Sequence, residues 1–385
     1  MGATERKAII IGAGIGGLAT ALALQNTDWK VHVLERSGTL SPSGTGLSLW
    51  PNALAALERL GVLDEVLAAA VPVRGDVLDM DGNPIMLLEQ LDVRRRYGLP
   101  IQMIHRADLT AILAKPLAVN TVHLGLNAVG FQPGFPRSTV ELDNGGRQSA
   151  ELVVGAEGLY SVVRPALIGR DKPRSSGTTA FRGVCDAAGL DLDSVPWGEM
   201  WGDGGVFGAT PLSGNRIYWY ATAPNEELVG AGQDGWKMTA IENFAHWHPG
   251  IESVLVKTEE SAIIAHELFD RKPEPVWSGR SATLVGDAAH PMLPFLGQGA
   301  CQALEDAVAL ADALAGKDSI ADGLVEYESI RAPRANEIVE RSRSMARLAQ
   351  LDSAPLRKAR NTTMRLLPKA LRLRRLDAVV GYEGH

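Results

Sequence analysis

An α/β fold is what this sequence predicts: a Rossmann-like parallel sheet with an inserted β-sheet domain, followed by a helical C-terminal segment. Three observations predict it. A strand, a glycine turn and a small-residue helix open the chain in "KAIIIGAGIGGLATALALQ". β-rich segments crowd the middle, in "TTAFRGVCDA", "GGVFGATPL" and "NRIYWYATA". A leucine-rich basic tail, interrupted by Pro355 and Pro368, closes the chain.

The bulk composition fits a folded protein. The chain has 385 residues, 45% hydrophobic and 22% charged, enough for two modest domains. Its formal charge of -7 argues against the broad basic face that nucleic-acid binding needs. Cys185 and Cys301 stand too far apart in sequence for a CxxC pair, a zinc cluster or a disulfide framework, which points to a reducing cytoplasm. Arg6, Lys7 and the apolar run behind them imitate an export signal, with Ala21-Leu22-Ala23 as its cleavage site. The glycines in "GAGIGG" make that run a poor membrane helix and a good strand-turn-helix. No membrane span is expected.

In that first segment, Lys7 to Ile11 reads as a buried parallel strand and Ile15 to about Gln25 as a helix. Gly12, Gly14 and Gly17 fall on G-x-G-x-x-G. Gly12 serves the tight turn, Gly14 the approach of a pyrophosphate, and Gly17 the close packing of helix on sheet. The phosphates would rest at the helix N-terminus. A second strand, "KVHVLE", ends in Glu35, an acid placed to accept both ribose hydroxyls of an unphosphorylated adenosine. A bound FAD or NAD follows. The next segment, "SGTGLSLWPNALAALERLGV", departs from the NAD pattern, since a Gly-rich loop runs into a helix with Pro51 near its first turn. Gly44 and Gly46 would let that loop pass close to a flat ring system, unless it is a plain surface loop.

A further strand and turn lie in "AELVVGAEGLYSVVRPAL", with Glu157 between Gly155 and Gly158 and Arg164 on the helix beyond. Then comes "SATLVGDAAHPMLPFLGQG", leading into "ACQALEDAVALADALAG". There Ala300, Ala303, Leu304, Ala307, Val308, Ala311 and Leu314 share one helical face, so that Gly297 to Gly299 mark a helix N-terminus. Asp287 and His290, three residues apart, suit either a catalytic pair or a loop shaped around a ligand.

These three motifs, in this order, resemble the FAD-dependent aromatic hydroxylases, the single-component flavoprotein monooxygenases related to 4-hydroxybenzoate hydroxylase. The similarity is closest to the salicylate, 3-hydroxybenzoate and urate hydroxylase branch and covers nearly the whole chain. It implies bound FAD and a transient visit by NADH or NADPH. It further implies hydroxylation of a small aromatic or heteroaromatic substrate by O2 through a flavin C4a-hydroperoxide. Glu35 would hold the adenosine ribose, with Arg36 beside it. Arg106 of "HRADL" would reach the ribityl or pyrophosphate region, and Asp287 a ribityl hydroxyl. The loop from Pro294 to Gly299 would pass beside the isoalloxazine ring, its helix N-terminus aimed at the N1/C2 edge, where reduced flavin carries negative charge. Ala13, Ile15, Gly46, Leu47, Val129, Gly297 and Ala300 complete the cofactor-contacting set. On this reading Asp287 is a cofactor ligand, His290 a structural residue, and no metal is bound. Two departures stand out: Glu157 replaces the family's usual Asp, and Cys301 stands where many relatives carry Asn.

The chemistry needs few acid-base residues from the protein, and no catalytic side chain is assigned. Within "IYWYA", alternation sends Tyr218 and Tyr220 to one face and Trp219 to the other. Tyr218 reads as a core or a pocket residue. Arg182 in "AFRGV" reads as a structural arginine or a partner for a substrate carboxylate, and Pro294 as a pocket edge. Only one G-x-G-x-x-G follows a strand, which argues against a second nicotinamide domain, and no W-x-W-x-I-P halogenase signature occurs.

The expected organisation is a discontinuous FAD domain (1–71, 100–172 and 276–320), a substrate domain (72–99 and 173–275) and a C-terminal helical region (321–385). A monomer or homodimer is expected. The tail from Ser353 to Leu376 carries eight Lys or Arg and no acid. It reads as a docked helix with a solvated basic face, or as a surface for an anionic membrane or a dimer partner. The alternative functions are epoxidation or oxidative modification of a larger polyketide or antibiotic, and flavin binding without turnover.

Overall fold

The computed structural model describes residues 6–40, 44–225 and 235–381, so 41–43, just ahead of the Gly44 loop, and 226–234 lie outside the description. A five-stranded parallel sheet runs in the order Ala282–Leu284, Leu152–Gly155, Lys7–Ile11, Lys30–Glu35 and Val122–Leu124. Its strands are short apolar runs because helices cover it, and Ala8, Ile9, Ile10, Val153 and Val154 are fully buried. The Ile15–Gln25 helix packs on it together with the Gly299–Leu314 helix.

A seven-stranded sheet takes strands from two separate parts of the chain, in the order Ile264–Asp270, Arg174–Asp186, Arg216–Pro224, Gly205–Leu212, Gly198–Gly202, Val77–Asp79 and Pro84–Met86. Its pairings are antiparallel except for the parallel contact of Gly198–Gly202 with Val77–Asp79. Alternation splits its faces. Trp219 joins Phe181, Phe207 and Phe244 under the helices Trp236–Phe244 and Pro249–Lys257, while Tyr218 and Tyr220 stack on the opposite face. A three-stranded sheet of Gly46–Leu49, Gln102–His105 and Val71–Pro72 faces these tyrosines. Gly46 therefore starts a strand, where the sequence suggested a loop, because its backbone pairs with His105.

The 30-residue Ile320–Ala349 helix is followed by Ala354–Leu366 and Lys369–Val380. Pro368 separates the last two, as its fixed φ and missing N–H require, while Pro355 sits in the first turn of its helix and so starts it rather than breaking it. Much of the tail's positive charge is not a free basic face. Arg357 meets Asp203 at 2.6 Å, Arg365 meets Asp79 at 2.8 Å, and Lys369 meets Asp92 at 2.6 Å. Asp377 takes the Tyr97 hydroxyl at 2.8 Å and pairs with Arg96, which brings Leu373 and Leu376 against the cluster around Tyr218. Among the described residues no helix is long and apolar enough to cross a membrane.

Candidate active site

The glycine turn after the first strand admits no other residue at two of its positions. Gly12 has φ +100°, and a Cβ there would lie 2.7 Å from the Ala156 carbonyl oxygen. At Gly17 a Cβ would come within 1.9 Å of the Gly12 carbonyl oxygen, so the helix can approach the strand only without a side chain. Gly14 caps the Ile15–Gln25 helix in extended conformation, and a Cβ there would meet nothing within 4 Å. Ala13 and Ile15 flank it. Glu35 binds this turn to the second strand: its Oε2 accepts the Ala13 N–H and its Oε1 the Ser37 N–H, each at 2.8 Å. Arg36 is exposed beside it. The Leu126 N–H bonds to the Glu35 carbonyl at 2.9 Å, and beyond that link lies Val129, 54% exposed.

At the other end, Asp287 sits in the one-turn segment Gly286–Ala288. It is the one exposed residue of that segment, between buried Gly286 and Ala288. Desolvation raises its carboxyl, opposed by the charges of His290 and of Arg106, the first residue of the Arg106–Ala114 helix. His290 turns away into the protein, its Nε2 2.6 Å from Asp306 Oδ2, with both side chains fully buried. Asp306 Oδ2 also takes the Gly286 N–H at 2.8 Å. Pro294 is exposed at the start of the Pro294–Leu296 turn, and Gly297, with φ +61°, leads into the Gly299–Leu314 helix. A Cβ on Gly297 would lie 2.6 Å from Ser48 Oγ, which holds the turn against the Gly46–Leu49 strand that carries Leu47. Gly299 and Ala300 begin the helix, whose first N–H groups have no partner within it.

That helix is less simply amphipathic than its sequence suggested. Gln302, Glu305 and Asp306 are as deeply buried as the apolar face. Buried carboxylates need compensation, and Arg331 supplies it at 2.8 Å to Asp306 and by a close pair with Glu305 at 2.5 Å. Arg334 adds a contact of 2.6 Å to Glu305 and 3.1 Å to the Val379 carbonyl. The acid pair in an otherwise apolar helix was the signal; its partners lie too far along the chain to be read from spacing.

On the face of the seven-stranded sheet opposite Trp219, Tyr218 is 6% exposed and stacks on Tyr220. Arg182 stands opposite Tyr220 in register, and its Nη1 lies 2.6 Å from His266 Nε2. Desolvation and then the Arg182 charge push the His266 imidazole down to about 4. The Tyr220 hydroxyl and the Trp201 indole both donate to Glu199. Burial raises the Glu199 carboxyl, against those two hydrogen bonds. Sequence reasoning passed over Glu199 and His266, each on a different strand from the tyrosines. Gly46 has its close neighbour here, since a Cβ would lie 2.4 Å from the Tyr218 ring. Phe295 of the Pro294–Leu296 turn packs in the cluster that includes Tyr220 and Trp201, so the turn meets this face of the sheet.

A glycine turn at a helix N-terminus tied to an acid on the next strand is the arrangement a dinucleotide needs, and a family model described as an FAD binding domain matches residues 5–342. The chain belongs to that family. It is 35% identical to the aurachin C monooxygenase/isomerase of Stigmatella aurantiaca, over 94% of this chain and 95% of that one. It is 34% identical to the 3-hydroxybenzoate 6-hydroxylase of Klebsiella oxytoca, over 89% and 88%. In fold it matches the crystal structure of Klebsiella pneumoniae HpxO complexed with FAD and uric acid, with a TM-score of 0.88 at 24% identity, covering 97% and 96% of the two chains. This protein is thus an FAD-dependent monooxygenase of the aromatic hydroxylase type.

Within this family member, both departures have local explanations. Glu157 Oε1 accepts the Val162 N–H at 2.9 Å and the Val163 N–H at 3.3 Å, just ahead of the Arg164–Leu167 helix. Its Oε2 is buried without a hydrogen-bond partner, and burial raises its carboxyl. Cys301 is buried against the Ser48 and Gly297 carbonyls, and burial pushes its thiol up to about 12, so it acts as a small packing residue.

Proposed function

We propose that this protein uses NADH or NADPH and O2 to hydroxylate a small aromatic or heteroaromatic compound held between the seven-stranded sheet and the Pro294–Gly299 loop. One observation carries the reading. Arg182, Tyr218 and Tyr220 share a sheet face that meets the loop entering the Gly299–Leu314 helix through Phe295.

Bound FAD supplies the electron transfer and oxygen activation. The protein's residues divide the remaining work. Gly12, Ala13, Gly14, Ile15 and Gly17 receive the pyrophosphate at a helix N-terminus. Glu35 keeps acceptor capacity for ribose hydroxyls beyond its two backbone bonds, because an ionised carboxylate has about four lone-pair sites. Arg36 and Val129 flank the adenosine, while Arg106 and Asp287 hold the ribityl and phosphate region. Gly46, Leu47, Pro294, Gly297, Gly299 and Ala300 border the ring, and the helix N-terminus there favours negative charge on the reduced cofactor. Tyr218, Arg182 and the apolar cluster with Leu373 and Leu376 orient the substrate and keep water out. On this reading 1–71, 100–172 and 276–320 form the FAD unit, 72–99 and 173–275 the substrate unit, and 321–385 the helical closure.

Relatives named aurachin C monooxygenase/isomerase and zeaxanthin epoxidase support a second reading, epoxidation or oxidative modification of a larger polyketide- or antibiotic-like substrate. The test of the reductive step is anaerobic mixing of the FAD-loaded protein with NADH and with NADPH while the flavin absorbance is followed. Bleaching by one of them, faster with substrate present, supports the reading; no bleaching with either, with or without substrate, removes the nicotinamide from it.

A further inference from the structure

The helices Gln90–Tyr97 and Lys369–Val380 come from distant parts of the chain and are tied together side by side. Arg96 and the Tyr97 hydroxyl meet Asp377, and Lys369 meets Asp92 at 2.6 Å. Their inward faces are apolar. Val93 and Tyr97 from one helix and Leu373 and Leu376 from the other join the cluster that contains Tyr218. The two helices therefore form one layer over that cluster, and each has a face left over.

The two outward faces carry the same pattern. On the first helix Leu91, Arg94 and Arg95 fall at i, i+3 and i+4, and on the second Leu371, Arg374 and Arg375 do the same, so each triplet shares one helical face. All six residues are exposed, Leu91 at 62% and Leu371 at 40%. Both acids on the two helices, Asp92 and Asp377, are taken up in the seam between them. Among the described residues none of the four arginines has an ion-pair partner. The layer thus holds an uncompensated positive surface on a chain whose formal charge is -7.

A single exposed leucine is ordinary. The same leucine-arginine triplet on two adjoining helices is a repeated surface chemistry, and it suits one kind of partner. A polyanion such as nucleic acid would be met by charge alone and has no use for the leucines. At a bilayer surface both residue types are served. Leucines enter the boundary between headgroups and acyl chains, while arginine stems lie along the same apolar zone and carry their guanidinium groups to phosphate oxygens.

We propose that this two-helix layer docks on the surface of an anionic lipid bilayer. The contact is peripheral, since among the described residues no helix is long and apolar enough to cross a membrane. Its orientation follows from the packing: the Tyr218 cluster lies beneath the docked helices, on the bilayer side of the molecule. Docking of this kind is independent of which substrate is oxidised.

The test sediments the FAD-loaded full chain with vesicles of phosphatidylcholine alone and of equal parts phosphatidylcholine and phosphatidylglycerol. The mixed vesicles should carry the protein down, phosphatidylcholine alone should not, and high salt should release it. An arginine near an anionic leaflet is worth about fivefold in affinity, so Arg94→Gln with Arg95→Gln, and separately Arg374→Gln with Arg375→Gln, should each weaken binding about twentyfold. Leu91→Ser with Leu371→Ser leaves the charge unchanged and should still weaken binding about tenfold. FAD content and melting temperature serve as folding controls, and the exposed positions of all six residues predict that neither moves. No binding to the mixed vesicles, or binding that survives both arginine pairs, overturns the proposal. Full binding by the leucine variant, or a short DNA duplex that binds the parent as tightly and displaces it from vesicles, would make the face a general polyanion patch and overturn the lipid assignment. A parent that is dimeric without lipid and becomes monomeric in the leucine variant would give the face to a second copy of the chain and overturn it as well.

Discussion

His290 and Asp306 fasten the Gly286–Ala288 turn to the helix that follows it. The imidazole Nε2 lies 2.6 Å from the carboxylate, both side chains are fully buried, and Arg331 holds the second carboxylate oxygen at 2.8 Å. Through Asp306 the pair also takes the Gly286 N–H, and so anchors the turn that carries Asp287, the acid proposed to face the cofactor.

The acid limb of stability should report this pair. Burial alone would raise the Asp306 carboxyl, but the charges of His290 and Arg331 outweigh it and hold it at about 2. A carboxyl held below its unfolded value contributes stability that is complete above pH 4 and is lost as pH falls toward 2. The contribution is about 2 kcal/mol. Asp306→Asn should remove that part of the acid dependence. It should also cost about 3–5 kcal/mol at neutral pH, because it leaves Arg331 short of a buried partner. Urea unfolding across pH 3 to 7 checks both. An unchanged acid limb in the variant would show that Asp306 does not carry it.

Gly46→Ala should disturb the site from behind. The new methyl would lie 2.4 Å from the Tyr218 ring, which is packed too tightly to give way freely. Overpacking of this kind costs about 1–3 kcal/mol, and the shifted ring should weaken substrate binding. Thermal melts with and without substrate measure the two effects. A variant as stable as the parent would mean that the two sheets slide apart without penalty.

Glu35→Ala removes both the tie between Ala13 and Ser37 and the proposed ribose acceptor. FAD retention should fall about tenfold, on the order of 1.4 kcal/mol. Asp287→Ala should weaken FAD similarly, with metal content unaltered. Dialysis of the loaded proteins gives the numbers. Undiminished retention in Glu35→Ala would remove that acid from the cofactor site, and stoichiometric zinc or iron in the parent would overturn the reading of the Asp287 loop.

How much of this was legible in the sequence depended on sequence distance. Gly12, Gly17 and Glu35 declare themselves because a turn, a helix start and the next strand lie within one local unit. The split of Tyr218 and Tyr220 from Trp219 follows from strand period alone. Gly46 and Gly208 were opaque for the opposite reason: each is small because an aromatic ring from another strand or sheet lies over it. Glu199 looked like any strand acid until strand order placed it two strands from Tyr220 across Gly208. Arg331 gave no sign of burial, since its partners Glu305 and Asp306 belong to a different helix. The basic tail docks as its leucines suggested, but its composition hid that several of its charges close onto acids such as Asp79, Asp92 and Asp203.

The central claim, oxygen transfer to an aromatic ring, is tested most directly by turnover in air. The FAD-loaded protein would be given NADH or NADPH and a panel of phenols, benzoates, purines and quinolones, with nicotinamide loss, peroxide and product mass recorded together. The account predicts that one class speeds nicotinamide oxidation, releases little peroxide and yields a product heavier by one oxygen atom. Nicotinamide oxidation that stays at its basal rate with every compound, while the protein remains yellow, would contradict it.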